Sequence, residues 1–375
     1  MRVIHLIDSG GLYGAERVLL TLVDEQLKQG DIQPLIVSVG APGEPEKPLE
    51  AAAREAGLPL HVARMKPGLN LKATRALLQT LGVGSEGEPV LLHSHGYKFN
   101  IILAFLKVRE ALAVPVVSTV HGYVRPALFS KMWIYERMDR WALKHLDGIV
   151  CVSETQKRHQ LPERLQARAT VIYNGLPGMG KTPVRLPQGK YTPSQPMKLL
   201  AAGRLSPEKG FELLLRALAP LVHKGLPICL TIAGEGALRL RLEHLVDTFG
   251  LRNAVTFAGY VRDMEALYAS HDVLVMPSLT EGLPMTLLEA LRAGLPAICS
   301  AVGGIPEVAE QAPIQLFRAG DVRALEKLIE DALHGNLPIR QHTDLSKFSA
   351  ETMAEGYHQL YTGILQGVAA GVAYE

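Results

Sequence analysis

The chain has 375 residues, 47% hydrophobic and 20% charged, with 39 Lys and Arg against 37 Asp and Glu for a net charge of +2. That length exceeds one ordinary core and points to two domains, and the composition excludes disorder, collagen and coiled coil. Near-neutrality argues against nucleic acid as a partner, and no apolar run approaches the roughly 18 residues that would suggest a membrane span.

Arg2–Ile7 reads as a strand and 15–29 as a helix, with Leu19, Leu22, Val23 and Leu27 at helical spacing. Asp8 cuts the opening apolar run too early for a signal peptide. Strand-like runs follow at 34–39, 58–62, 90–93, 114–120, 148–152 and 170–173, separated mostly by helical stretches such as 71–81, 101–112 and 131–144. Residues 176–197 hold five Pro and three Gly with no apolar period and read as a linker. The alternation then restarts, with strands at 198–202, 228–233, 255–257, 273–276 and 297–300 and helices at 211–224, 238–249, 264–269, 285–293 and 322–334. Two α/β halves are expected, 1–175 and 198–349, each a parallel sheet covered by helices, with ligands beyond the carboxyl ends of the strands in an interdomain cleft. Cys151, Cys229 and Cys299 are too few and too scattered for a disulfide framework or a metal site, so they read as buried free thiols in a reducing cytoplasm.

Several strand–helix junctions carry candidate chemistry. Gly175-Leu-Pro-Gly-Met-Gly180-Lys181-Thr182 spells a phosphate loop, but that loop needs a helix directly behind it, and here Pro183, Pro187 and Gly189 follow. The spelling reads as an accident of the linker. Gly10-Gly11-Leu-Tyr13-Gly14 lies between the first strand and first helix, either as a plain tight turn or, the favoured reading, as a phosphate or sugar contact. Arg204 and Lys209, in Gly203-Arg-Leu-Ser-Pro-Glu-Lys-Gly210, set two cations before a helix N-terminus, which suits a diphosphate. Glu281 and Glu289, in Glu281-Gly282-Leu283-Pro284-x4-Glu289, put one carboxylate in a loop after a buried strand and one in the second turn of an apolar helix that Pro284 starts. A carboxylate there needs a partner, and ribose hydroxyls would serve.

His121 ends a strand beside Gly122, a placement that favours function over structure. His93 and His95 sit similarly; their spacing could suggest a metal pair, but no third ligand is evident nearby. Ser153 fits a helix capping box, and Asn174-Gly175 reads as a turn open to a cleft contact.

Taken in order, GGLYGAE, TVHG, VSE, YNG, GRLSPEKG, AGEG, FAGYV, MPS-x2-EGLP-x4-EA and VGGIPE resemble the family 4 retaining glycosyltransferases of the GT-B fold over nearly the whole chain. The resemblance implies two Rossmann-like domains, with a C-terminal helix at about 350–375 crossing back to the first. It implies a nucleotide-diphosphate sugar as donor, with Arg204 and Lys209 on the diphosphate in place of a metal and Glu289 on the ribose. Tyr260 and Val261, with Arg262 nearby, would frame the base. Glu281 and the Gly282, Leu283 and Pro284 loop would bind the sugar, Gly11 and Gly14 would lie at the donor phosphate, and His121 would contact the transferred sugar or the developing charge. Tyr13, His95 and Asn174 are further candidates for acceptor or sugar contact. No cofactor and no metal are expected.

The acceptor would be a saccharide or lipid-linked saccharide. Residues 61–145 hold 12 Lys and Arg against five Asp and Glu, and Met132, Trp133, Ile134, Met138 and Trp141 interleave with Lys131, Arg137, Arg140 and Lys144. Such a stretch either lies on an anionic membrane surface or is an ordinary helix with core aromatics. Localisation is read as cytoplasmic, with the inner membrane face as the peripheral option. A sugar-nucleotide epimerase, a phosphate-loop NTPase and a non-catalytic sugar-nucleotide binder stay as alternatives.

Overall fold

A computed structural model describes residues 1–8, 11–85, 87–110, 112–122, 130–183, 185, 191–337 and 342–369. The expectations placed on Gly10, Pro187, Gly189 and residues 370–375 lie outside these residues. The chain divides into two compact units, Met1–Pro177 with Lys347–Glu375, and Gly178–Ser346.

The first unit is built on seven strands: β1 (Arg2–Ile7), β2 (Gln33–Gly40), β3 (Leu60–Arg64), β4 (Val90–Ser94), β5 (Val116–Val120), β6 (Gly148–Cys151) and β7 (Ala169–Val171). They pair in parallel in the order β3-β2-β1-β4-β5-β6-β7. Because helices cover both faces, the central strands are largely apolar rather than alternating; Val3, Ile4, Leu6, Leu91, Leu92, Val116 and Val117 are fully buried, with His5 and His93 among the buried polar exceptions. The helix Tyr97–Glu110 has little amphipathic character because it is buried nearly all round, through Phe99, Ile101, Ile102, Leu103 and Ala104. Each of the Phe, Ile and Leu side chains contributes about 1.5–3 kcal/mol by leaving water. The C-terminal helix Ala350–Ala369 belongs to this unit, with Tyr357, Tyr361 and Ile364 buried at helical spacing.

The second unit repeats the plan. Strands β9 (Met197–Ala202), β10 (Ile228–Ala233), β11 (Val255–Gly259), β12 (Val273–Met276), β13 (Ala297–Ser300) and β14 (Ile314–Phe317) form a parallel sheet in the order β11-β10-β9-β12-β13-β14. Before it, β8 (Lys181–Pro183) pairs antiparallel with β15 (His342–Asp344). Both large sheets reverse direction of growth beside their first strand, at β1/β4 and at β9/β12. Such switch points open a crevice at the strands' carboxyl ends.

Four sequence expectations change. Residues 176–197 are not a featureless linker: they contain β8, and the unit boundary falls at Pro177/Gly178. The helix expected at 131–144 ends at Ala142 and tightens into a single 3-10 turn, Leu143–His145. Its side chains divide: Met138 and Trp141 pack on the core, Trp141 with its ring 4.8 Å from Phe105, while Met132 and Ile134 stay 43% and 48% exposed. Cys151 and Cys299 are buried free thiols, but Cys229 is only half-buried. Among the described residues, no helix is long and apolar enough to cross a membrane.

Candidate functional site

In the second unit the β9/β12 switch point brings two loops together. Residues after β9 form a 3-10 turn, Pro207–Lys209, then Gly210 caps the helix Phe211–His223. Gly210 has φ +67°, and a Cβ there would lie 2.1 Å from the Pro277 carbonyl oxygen, so only glycine lets the β12 loop approach. The Leu279 N–H donates to the Glu208 carbonyl at 2.7 Å and ties the loops directly.

Across this seam Lys209 Nζ donates to Glu281 Oε1 at 2.7 Å, and Ser278 Oγ donates to the same oxygen at 2.7 Å. The Glu281 side chain is 9% exposed. Glu281 is therefore already held by two donors. Arg204 lies in the same turn, half-exposed, and donates to Glu208 Oε1 at 2.9 Å. Burial pushes the Glu208 carboxyl up, but hydrogen bonds from Ser206, its own backbone and Arg204 outweigh that and hold it below its ordinary value. Charged side chains from both sides of the switch point thus converge, with the Phe211–His223 N-terminus behind them.

Glu289 lies in the second turn of the helix Met285–Arg292 as expected, but Pro284 is its N-cap in extended conformation rather than its first helical residue. The Tyr268 hydroxyl donates to Glu289 Oε2 at 2.8 Å, so the partner that a carboxylate on this apolar helix requires is a buried tyrosine. Leu283 is buried, and the Gly304 N–H donates to the Gly282 carbonyl at 2.6 Å, fixing the loop against the turn after β13. Tyr260, 65% exposed, and Val261 follow the edge strand β11. The phosphate-loop spelling has no helix behind it: Lys181 begins β8.

In the first unit a cavity of ≈ 790 Å³ opens over the β1/β4 switch point, lined among others by Asp8, Glu16, Lys47, His95, Lys98 and His121. Lys98 Nζ lies 3.5 Å from Asp8 Oδ2. Lys47 donates to the Val39 carbonyl at 2.6 Å and the Asp8 carbonyl at 3.2 Å, and burial lowers its pKa. Ala15 and Glu16, in the first turn of the helix Gly14–Gln29, form part of this wall, whereas Gly11, Tyr13 and Gly14 do not line it. Tyr13 caps the helix Gly14–Gln29, its N–H bonded to Glu16 Oε2 at 2.8 Å, and its ring, 56% exposed, lies over Gly11. Asn174 is buried, and a Cβ on adjacent Gly175 would lie 2.2 Å from the Ser349 carbonyl oxygen, so this turn is packed against the start of the C-terminal helix.

The sequence offered no third partner for His93 and His95, yet His5 supplies one. The β1–β4 register sets His5 against His93, and ligating nitrogens of all three lie within 4.8 Å of one another. Hydrogen bonds already occupy them. His93 bonds the Tyr361 hydroxyl at 2.6 Å and Thr119 Oγ1 at 2.8 Å, and His5 and His95 bond each other at 3.1 Å. Burial depresses His5 and His121 to about 4 and holds His93 and His95 well below the ordinary imidazole value, so all four are neutral. A metal does not fit without breaking those bonds. The legible signal was His5 itself, a lone polar side chain inside a strand buried on both faces, which must have a partner.

Comparison with known proteins agrees with this architecture. Residues 13–177 match Glycosyltransferase Family 4 and residues 186–351 match Glycosyl transferases group 1. The chain belongs to the family 4 glycosyltransferases of GT-B type. It is similar to an uncharacterized glycosyltransferase of Methanocaldococcus jannaschii, 40% identical over 29% of this chain and 28% of that protein. It is also similar to glycogen synthase of Mycobacterium tuberculosis, 27% identical over 81% of this chain and 74% of the relative. The chain thus matches well under a third of the length of the first of these. In fold it is similar to Anabaena HepE in complex with UDP-glucose, with a TM-score of 0.73 at 18% identity, covering 97% of this chain and all of that one.

Proposed function

We propose that this chain transfers a hexosyl or N-acetylhexosaminyl unit from a nucleotide-diphosphate sugar to an acceptor hydroxyl with retention of anomeric configuration. The observation that carries this reading is the convergence of Arg204, Lys209 and Glu281 at the β9/β12 switch point. Arg204, Lys209 and the Phe211–His223 N-terminus stabilise the charge developing on the departing diphosphate, without a metal ion. Glu289, steadied by Tyr268, accepts from the ribose hydroxyls, and Tyr260, Val261 and Arg262 frame the base. Glu281 and the Gly282–Leu283 amides hold the sugar, the loop being tied by the Gly304 N–H on the Gly282 carbonyl. The glycogen synthase and HepE likenesses support a hexose donor carried on a nucleoside diphosphate.

The first-unit cavity takes a saccharide or lipid-linked saccharide acceptor, with His121 contacting a substrate hydroxyl. The acidic and basic groups of its wall suit a polyhydroxylated ligand, which both donates and accepts. The exposed Met132 and Ile134 beside Lys131, Arg137 and Arg140 support peripheral docking on an anionic bilayer. Incubation with radiolabelled nucleotide sugars and saccharide or lipid-linked acceptors, with and without chelator, tests the reading. Acceptor-dependent transfer that survives chelation supports it. Interconversion of the donor without any acceptor would replace it with an epimerase. Sedimentation with anionic liposomes at low salt tests the docking, and its absence would remove that part.

A further inference from the structure

Behind His121 runs a continuous string of neutral side chains. His121 Nε2 lies 3.3 Å from His95 Nδ1, His95 Nε2 lies 3.1 Å from His5 Nδ1, and His5 Nε2 lies 3.1 Å from Gln26 Oε1. His5 and Gln26 are wholly buried and His95 is 5% exposed. An amide oxygen can only accept a hydrogen bond. His5 Nε2 must then carry the proton, which leaves His5 Nδ1 as an acceptor. Each neutral imidazole has one donor and one acceptor, so the order propagates: His95 Nε2–H donates to His5, and His121 Nε2–H donates to His95. A second proton on His5 or His95 would set donor against donor inside a buried site.

We propose that His95, backed by His5 and Gln26, is a positioning residue that holds His121 as its Nε2–H tautomer and leaves Nδ1 as the nitrogen that accepts a hydrogen bond from a substrate hydroxyl. The last clause rests on the transferase reading; the tautomer lock does not. The string also fixes the ring plane, since His95 and His121 lie stacked with centroids 5.6 Å apart and an interplanar angle of 26°. Tyr361, Thr119 and Tyr357 brace the adjacent His93 in a parallel set of bonds, so the C-terminal helix helps pack the cluster.

The test is long-range nitrogen–proton NMR of the full chain with labelled histidine, His121 being assigned by its loss in His121→Gln. A single Nε2–H tautomer at neutral pH is expected in the unsubstituted protein. Gln26→Leu removes the terminal acceptor, and His121 then populates both tautomers; Gln26→Glu restores an acceptor and the single tautomer. Transfer should follow, with kcat falling about two- to tenfold in Gln26→Leu, donor KM unchanged, and recovery in Gln26→Glu, because only the competent fraction reacts. A His121 Nδ1–H tautomer, or a tautomer indifferent to Gln26→Leu in a chain whose circular dichroism is native, overturns the proposal. A stoichiometric zinc ion retained through dialysis against buffer would also overturn it. A locked tautomer in a chain that transfers no sugar would uphold the string and refute the transferase reading instead.

Discussion

Lys209 Nζ and Glu281 Oε1 lie 2.7 Å apart across the seam between the β9 and β12 loops, with Ser278 Oγ on the same carboxylate oxygen. Two residues 72 positions apart in sequence therefore share one charge environment. The diphosphate we assign to Lys209 must compete with Glu281 for it.

That competition separates the two side chains by experiment. Lys209→Ala should lower transfer by about 10²–10³, the loss seen when one donor to a developing anion is removed. Glu281→Gln keeps the shape but removes the charge. It should bind nucleoside diphosphate at least as tightly as the parent while transfer falls, because Lys209 is released to the phosphate and the sugar loses its carboxylate. Full transfer by Glu281→Gln would show that the carboxylate has no part in the reaction.

Tyr268 should act through Glu289. Tyr268→Phe removes one hydrogen bond to a carboxylate, worth about 1.5 kcal/mol, so donor KM should rise about tenfold with kcat little changed. Steady-state kinetics decide it; a fall in kcat with constant KM would place Tyr268 at the reacting centre instead.

Gly210→Ala should destabilise the second unit more than Gly225→Ala. Both glycines have positive φ, +67° and +75°, at which a Cβ costs about 1–2 kcal/mol, but only at Gly210 would the Cβ meet the Pro277 carbonyl, whereas nothing lies within 4 Å of it at Gly225. Calorimetry of the two variants should give the larger Tm drop for Gly210→Ala. Equal drops would mean that the loops part without cost.

Stability should fall in two acid windows. Burial depresses His5 to about 4 in the folded chain against 6.5 unfolded, so the unfolded chain binds the extra proton between those values. Its contribution is full above pH 6.5 and is lost as pH falls towards 4, amounting to about 3 kcal/mol. Burial pushes the Glu50 carboxyl up, but Arg64, Ser38 and the Lys47 backbone outweigh that and hold it at about 2 against an ordinary 4.5. Its contribution is full above pH 4.5 and is lost as pH falls through 2. Urea midpoints measured at pH 7, 5 and 3 should decline at each step; a flat profile between 7 and 5 would contradict the neutral histidine cluster.

Most of the architecture was legible because the central strands are short, apolar and separated by amphipathic helices. The missed elements lacked that contrast. The helix Pro48–Glu55 is alanine-rich with a single large apolar side chain, the short apolar run of β14 is interrupted by Gln315, and β8 needs its partner β15 from about 160 residues away. Loop chemistry was legible as residue types, Arg204, Lys209, Glu281 and Glu289, but not as pairs. Lys209 with Glu281, and Glu289 with Tyr268, are set by the strand order. The His5–His93 contact depends on the β1–β4 register in the same way. The basic, aromatic-rich stretch at 131–144, open from the sequence between a membrane surface and a core helix, turns Met138 and Trp141 inward.

Calorimetric or thermal-shift titration of the intact chain with nucleoside diphosphates and their sugars, with and without chelator, tests the central claim most directly. Ligand at 100 times its dissociation constant should add about 2.7 kcal/mol of stability. The account predicts stabilisation by one nucleotide family in the presence of chelator, lost in Arg204→Ala and Glu289→Ala and retained in Lys181→Ala. Stabilisation by ATP alone, abolished by Lys181→Ala and indifferent to Arg204→Ala, would contradict it.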